Sequence, residues 1–255
     1  RDIVEMTTAA ASGHPGGSLS AVELTVGAFY HAMRVDPANP HWEDRDRFVL
    51  SKGHVSPCYY GVLAEKGFFP REELKTFRQL HSRLQGHPDA KKLPGVDAST
   101  GSLGQGVSLA NGMALGAKLL GKDTKVFVLC GDGELQEGQI WEAFMSAAHY
   151  HLDNLTVLID WNGLQIDGSN DEVMSLGDLS AKLRAFGFDF YEIDGHDLDA
   201  IEAALSAPVV PGKPRCILAH TVKGKGVSFM ENQAGWHGKA PNAEQRDQAL
   251  QELEG

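Results

Sequence analysis

Short apolar runs of β-forming residues alternate with longer stretches of helical periodicity along most of the chain. Residues 48–50 precede a helix expected from about Ser56, and residues 126–130 precede one expected from about Gln136. Residues 155–160, 188–194 and 215–221 read as further strands, with helices over 197–207 and 243–252. Ahead of the first strand, helical stretches over 2–11 and 20–33 flank a glycine-rich loop. Strands that are apolar throughout and separated by helices belong to a parallel sheet covered on both faces. The expected fold is therefore α/β, a three-layer α/β/α arrangement around a central, mainly parallel sheet. With no internal repeat, low-complexity tract or linker in view, residues 1–255 are read as one domain.

Polar residues sit at the ends of those strands. The strand runs lead directly into Ser51-Lys-Gly-His54, Gly131-Asp-Gly133, Asp160-Trp-Asn-Gly163 and Asp194-Gly-His-Asp197. In open parallel sheets the ligand crevice lies at the carboxyl ends of the strands, so this inventory faces the binding edge. Asp132 and Asn162 are thirty positions apart, with a helix and a strand between them, and both should emerge on that edge from neighbouring strands. One carboxylate and one amide carbonyl make a sparse hard-oxygen site, suited to Mg²⁺ or Ca²⁺ that completes its shell with water and phosphate oxygens. Gly131 and Gly133 allow close backbone approach, and a following helix offers free N–H groups to phosphate. Taken singly, Gly-Asp-Gly and Asn-Gly are ordinary turn formers. The strand before each and the edge they share favour a metal–phosphate site.

Composition narrows the partners. The chain has 255 residues, is 42% hydrophobic and carries a formal net charge of -11. That charge argues against nucleic acid, which selects a basic face. The apolar runs are far shorter than the ~20 residues of a membrane helix, and no secretory leader opens the chain, so a cytoplasmic location is expected. Three widely spaced cysteines read as reduced core residues. Among eleven histidines, His14, His54, His87, His196 and His237 each adjoin glycine, as suits a neutral cleft that grips hydroxyls and moves protons. His31, His41 and His81 read as solvated. His149 and His151, two apart near a helix end, point to different faces and make a poor zinc pair. Glu137 reads equally as a helix-start carboxylate, and Lys223 and Lys225 either neutralise phosphate or lie in a solvated loop.

The Gly-Asp-Gly motif with its downstream Asn resembles that of the thiamine diphosphate enzymes. Within that superfamily, Ser12-Gly-His-Pro-Gly16, Ser51-Lys-Gly-His54, Gly86-His-Pro88, Gly101-Ser-Leu-Gly-Gln-Gly106, Gly131-Asp-Gly-Glu-Leu-Gln-Glu-Gly138 and Trp236-His-Gly238 look like transketolase over nearly the whole chain. The resemblance implies a thiamine diphosphate-binding fold that holds the cofactor through Mg²⁺, with Ca²⁺ or Mn²⁺ as alternatives. It implies Asp132, Asn162 and the Leu164 carbonyl as metal ligands. His54, His237, Gly101, Ser102, Leu103, Gly131, Asp132, Gly133, Glu134 and Asn162 would contact the cofactor. His14, His54, His87 and His237 would act on the substrate, and Glu137 would join a carboxylate network between two active sites. Departures occur at Gly17-Ser18 and in the loop 232–236, where relatives differ. The resemblance further implies transfer of a two-carbon ketol unit between sugar phosphates, as in the pentose phosphate pathway. The pyrimidine-binding and C-terminal domains of a whole transketolase are absent, so they are expected on a partner subunit in a symmetric hetero-oligomer. Alternatives are a deoxyxylulose phosphate synthase-like or 2-oxo acid dehydrogenase-like subunit, a non-catalytic cofactor-binding subunit, and a fragment of a longer enzyme.

Overall fold

In a computed structural model that describes residues 1–254, the alternating pattern becomes a three-layer α/β/α molecule. Its sheet contains five parallel strands: β1 (Arg47–Leu50), β2 (Val126–Gly131), β3 (Leu155–Trp161), β6 (Asp189–Asp194) and β7 (Arg215–His220). The order across the sheet is β1-β2-β3-β7-β6. The two short strands between them, β4 (Leu164–Gln165) and β5 (Gly168–Ser169), form a separate hairpin just beyond β3.

Alternate residues of the same strands fill two different cores, as the two-residue period of a strand requires. Phe48, Leu50, Phe127, Leu129, Leu158 and Ile217 face one side. There they meet α1 (Asp2–Ala9), α2 (Pro15–Ser20), α3 (Val22–Val26), α4 (Ser56–Lys66), α9 (Leu198–Ser206) and α10 (Ala243–Glu252). The rings of Phe29, Phe48 and Tyr59 cluster in that layer with centroids 5.0 to 5.8 Å apart. Val49, Val126, Val128, Cys130, Val157, Ile159 and Cys216 face the other side. These pack against α5 (Gln105–Leu119), α6 (Gly138–His149) and α8 (Leu179–Ala185), with α7 (Asn170–Met174) near the edge.

Several segments differ from the sequence-based expectation. The glycine-rich stretch ahead of residue 20 is largely helical, because Pro15 at the first helical position has φ already set and its missing N–H costs nothing there. Every residue of α2 is buried, so its glycines let it pack closely. The expected helix over 20–33 ends in a π-helical turn, Gly27–Ala32. The segment between β3 and β6 holds the hairpin and two short helices that carry too few apolar positions to announce themselves. Ser169 closes a capping box with Glu172 at the start of α7, and Asp178 caps α8.

Register brings the carboxyl ends of four strands level. Leu50 lies opposite Leu129, Gly131 opposite Asp160, and Trp161 opposite His220. The loops that leave these ends meet in one cleft.

Candidate active site

β2 delivers Asp132 into a 3₁₀ turn over Gly133–Gln136, and β3 delivers Asn162 into the β4 hairpin. The two meet through the backbone. Asp132 Oδ1 accepts from Gly133 N at 2.8 Å and Oδ2 from Gly163 N at 2.6 Å. Asn162 Oδ1 accepts from Leu164 N at 3.2 Å. The Leu164 carbonyl in turn accepts from Lys223 Nζ at 3.3 Å. Asp132 is buried yet forms no ion pair among the described residues. Burial pushes its carboxyl group up from the ordinary value and the nearby Asp160 adds to this, against the pull of Lys52. A buried, unpaired carboxylate beside an amide oxygen and a main-chain carbonyl is a donor set that a hard divalent cation fits.

Glu134 has a different position from the one expected of a cofactor contact. Its carboxylate turns inward, where Oε1 accepts from Ser51 Oγ at 2.5 Å and Gly104 N at 2.9 Å, and Oε2 from Gly131 N at 3.0 Å. One buried side chain thus ties together the loop after β1, the Gly101–Gly106 loop and the end of β2. Gly101 and Ser102 are exposed at the mouth, with Leu103 half-buried beside them.

Sequence reasoning missed the ion pair behind the metal ligands. Asp160 is 0% exposed and Lys52 2%. Lys52 Nζ and Thr221 Oγ1 both donate to the Asp160 carboxylate, and Ser20 Oγ donates to it at 2.5 Å. Burial works against the charge, but Lys52 and the hydroxyl donors outweigh it and hold the carboxyl below its ordinary value. Ser20 Oγ also accepts from Asn162 Nδ2 at 3.4 Å, which links this cluster to a metal ligand. The signal was present in Ser51-Lys-Gly-His54 and in Asp160 at the strand end, but nothing local reveals that the two meet.

His14, His54 and His237 converge, with ring centroids 5.0 Å (14–54), 5.3 Å (14–237) and 5.1 Å (54–237) apart. Burial depresses all three, to about 4 for His14, well below the ordinary value for His54 and to about 3 for His237, and neighbouring cations add to the effect. The trio is neutral at pH 7. Lys223 is buried beside it and pushed down to about 8 by burial. Its ammonium donates to His237 Nδ1 at 3.1 Å, which leaves the proton of the neutral ring on Nε2. This arrangement can give and accept hydrogen bonds with hydroxyls and hold a proton at a defined ring atom.

The remaining expected residues are spread more widely. His87 is exposed at the rim, its ring close against Gly101. Glu137 begins α6 beside Gly104 and makes no side-chain cap, and it lies apart from the histidines. His196 serves the scaffold: its Nε2 accepts from Val222 N at 2.8 Å and its Nδ1 lies 3.1 Å from Glu23, which brackets the loop carrying Lys223. Lys225 is exposed, so the two lysines of that loop have separate fates.

Comparison with known proteins agrees with this geometry. The family model for the transketolase thiamine diphosphate-binding domain matches residues 2–254. One of the two subunits of an apulose-4-phosphate transketolase from Phocaeicola vulgatus is 44% identical over 98% of this chain and 89% of its own length. The 6-deoxy-6-sulfo-D-fructose transketolase subunit SqwG of a Clostridium species is 45% identical over 95% and 88%. The transketolase of Leishmania mexicana superposes with a TM-score of 0.94 at 32% identity, covering 99% of this chain and 39% of that one. Relative to such single-chain enzymes, the chain spans about two fifths of the length. It belongs to the transketolase thiamine diphosphate-binding domain family.

Proposed function

We propose that the chain is the metal- and diphosphate-binding subunit of a split transketolase, active with a second subunit that carries the pyrimidine-binding domain. The observation that carries this reading is the meeting of Asp132, Asn162 and the Leu164 carbonyl at the strand ends beside three neutral histidines. The near-full-length match to relatives named as transketolase subunits supports the split organisation. Asp132, Asn162 and Leu164 hold Mg²⁺, and the loops at Gly101–Leu103 and Gly131–Gly133 hold the diphosphate. When bound, thiamine diphosphate supplies the nucleophilic carbon that cleaves a ketose and carries its two-carbon unit to an aldose. His54 and His237 orient groups next to that centre, with His237 offering its Nε2 proton. His14 and His87 bind substrate hydroxyls, and Glu137 faces the assembly contact. The names of the two relatives extend the substrate class from plain ketose phosphates to ketoses ending in another anionic group, such as a sulfonate. Three buried free thiols suit a reducing, cytoplasmic setting, and no helix among the described residues is long and apolar enough to cross a membrane.

The test is to isolate the native complex from its source, determine its subunits by native mass spectrometry, and assay ketol transfer. Transfer by the complex, lost with a chelator and restored by Mg²⁺ with thiamine diphosphate, is the expected result. A chain recovered without a partner, together with a complex inert towards every ketose phosphate and sulfonate tried, would sink the proposal.

A further inference from the structure

Arg78 lies outside every motif singled out in the sequence, on the loop after the 3₁₀ turn Arg71–Thr76. Its backbone has φ of +59°, a left-handed conformation that is strained for a long side chain. The loop fixes it there through Arg78 N donating to the Leu84 carbonyl at 2.8 Å. The side chain is thereby sent between two other loops. Nη1 donates to Ser12 Oγ at 2.8 Å, two residues before His14. The guanidinium lies flat against Gly86, one residue before His87, so closely that a Cβ at Gly86 would meet Cζ, Nε and Nη2 at 2.7 Å. Beyond it, the His87 ring rests against Gly101, where a Cβ would meet Cγ and Cδ2 at 3.1 Å. This accounts for both glycines physically: each is small because the layer above it touches the backbone.

The charge of Arg78 is uncompensated. It joins no ion pair among the described residues, and its Nε is buried without a hydrogen-bond partner. In a chain of net charge -11, such an arginine is costly unless its position is used. We propose that Arg78 is a positioning residue that braces the His14 loop against the His87 loop and fixes the spacing of these two imidazoles. The significance of that spacing for sugar hydroxyls rests on the transketolase reading above; the brace itself does not. The same cation keeps the rings neutral: after burial, Arg78 leads the effects that depress His14, ahead of His87 and Lys223, and it is the charge acting on His87. The rings of His54 and His237 complete the groups facing His14. Tyr60, from α4, is the titratable neighbour of Arg78 itself.

The test compares Arg78→Lys and Arg78→Gln in the full chain by amide hydrogen exchange and by NMR titration of the histidines. Lysine keeps the charge and loses the planar fork. Both variants should speed exchange at residues 12–14 and 86–88 by roughly tenfold, the effect of losing one charge-assisted hydrogen bond. The His14 and His87 midpoints should rise by roughly half a pH unit or more in Arg78→Gln only, with Arg78→Lys restoring them. Unchanged exchange in Arg78→Lys overturns the brace, even if Arg78→Gln does not fold. Neither readout involves sugar turnover, so an inactive complex would count against the proposed function and leave this result standing.

Discussion

At the scale of single residues, the site depends on how few charges it holds. Asp132 is the single carboxylate in its donor set, and its burial without an ion pair makes a cation the natural partner. Asp132→Asn keeps the two hydrogen-bond acceptor positions in part but removes the charge. Mg²⁺ affinity, measured by calorimetry in the presence of thiamine diphosphate, should fall by more than roughly tenfold, while the fold persists by circular dichroism. Ser20 tests the support behind Asn162. Ser20→Ala removes a hydroxyl that donates to Asp160 and accepts from Asn162. Loss of about 1 kcal/mol, or a several-fold weaker Mg²⁺ affinity, is the expected outcome. An unchanged affinity would show that Asn162 is held by Leu164 N alone.

Among elements, the decisive contact is the one that Glu134 makes at the start of the 3₁₀ turn. Glu134→Ala strands the amides of Gly104 and Gly131 and the hydroxyl of Ser51, so it should destabilise the chain by about 2–4 kcal/mol. Urea unfolding followed by circular dichroism measures this, and a change within about 0.5 kcal/mol would assign Glu134 to the exposed cradle after all. Strand positions, both faces of the sheet and the edge carrying Asp132 and Asn162 were legible in the sequence, because apolar runs ending in glycine and polar residues encode them locally. The convergence of His14, His54 and His237 was indicated only by the resemblance. The Lys52–Asp160 pair and the inward turn of Glu134 were not legible, since each joins residues far apart in sequence whose motifs look the same whichever way the side chain points. The helix α2 was hidden by its glycines, which ordinarily mark loops but here allow close packing behind His14.

For the whole molecule, the neutral histidines make stability depend on acid. Their folded-state values lie below the ordinary value of 6.5, at about 4 for His14 and about 3 for His237, with His54 also well below it. The unfolded chain therefore binds more protons as soon as the pH falls through 6.5, and stability should decline between about pH 6.5 and pH 4. Asp132 and Glu134, raised by burial, act in the opposite sense as they take up protons in the folded state. Comparison with a variant carrying His14→Gln, His54→Gln and His237→Gln separates the two: its stability should fall less steeply over that range in urea unfolding. An equal slope would mean that the rings are already solvated in solution. Strand order carries a further consequence, for the order of events during synthesis. β6 is made before β7 but pairs only with it, and β7 inserts between β3 and β6. Until β7 emerges from the ribosome, β3 therefore has an open edge and β6 has no strand to join. Lys223 and His237 follow β7, so the cleft is the last part of the molecule to come into being. A nascent chain can bury most of its core well before it can hold a ligand, and so the cofactor can select only chains whose sheet is already closed.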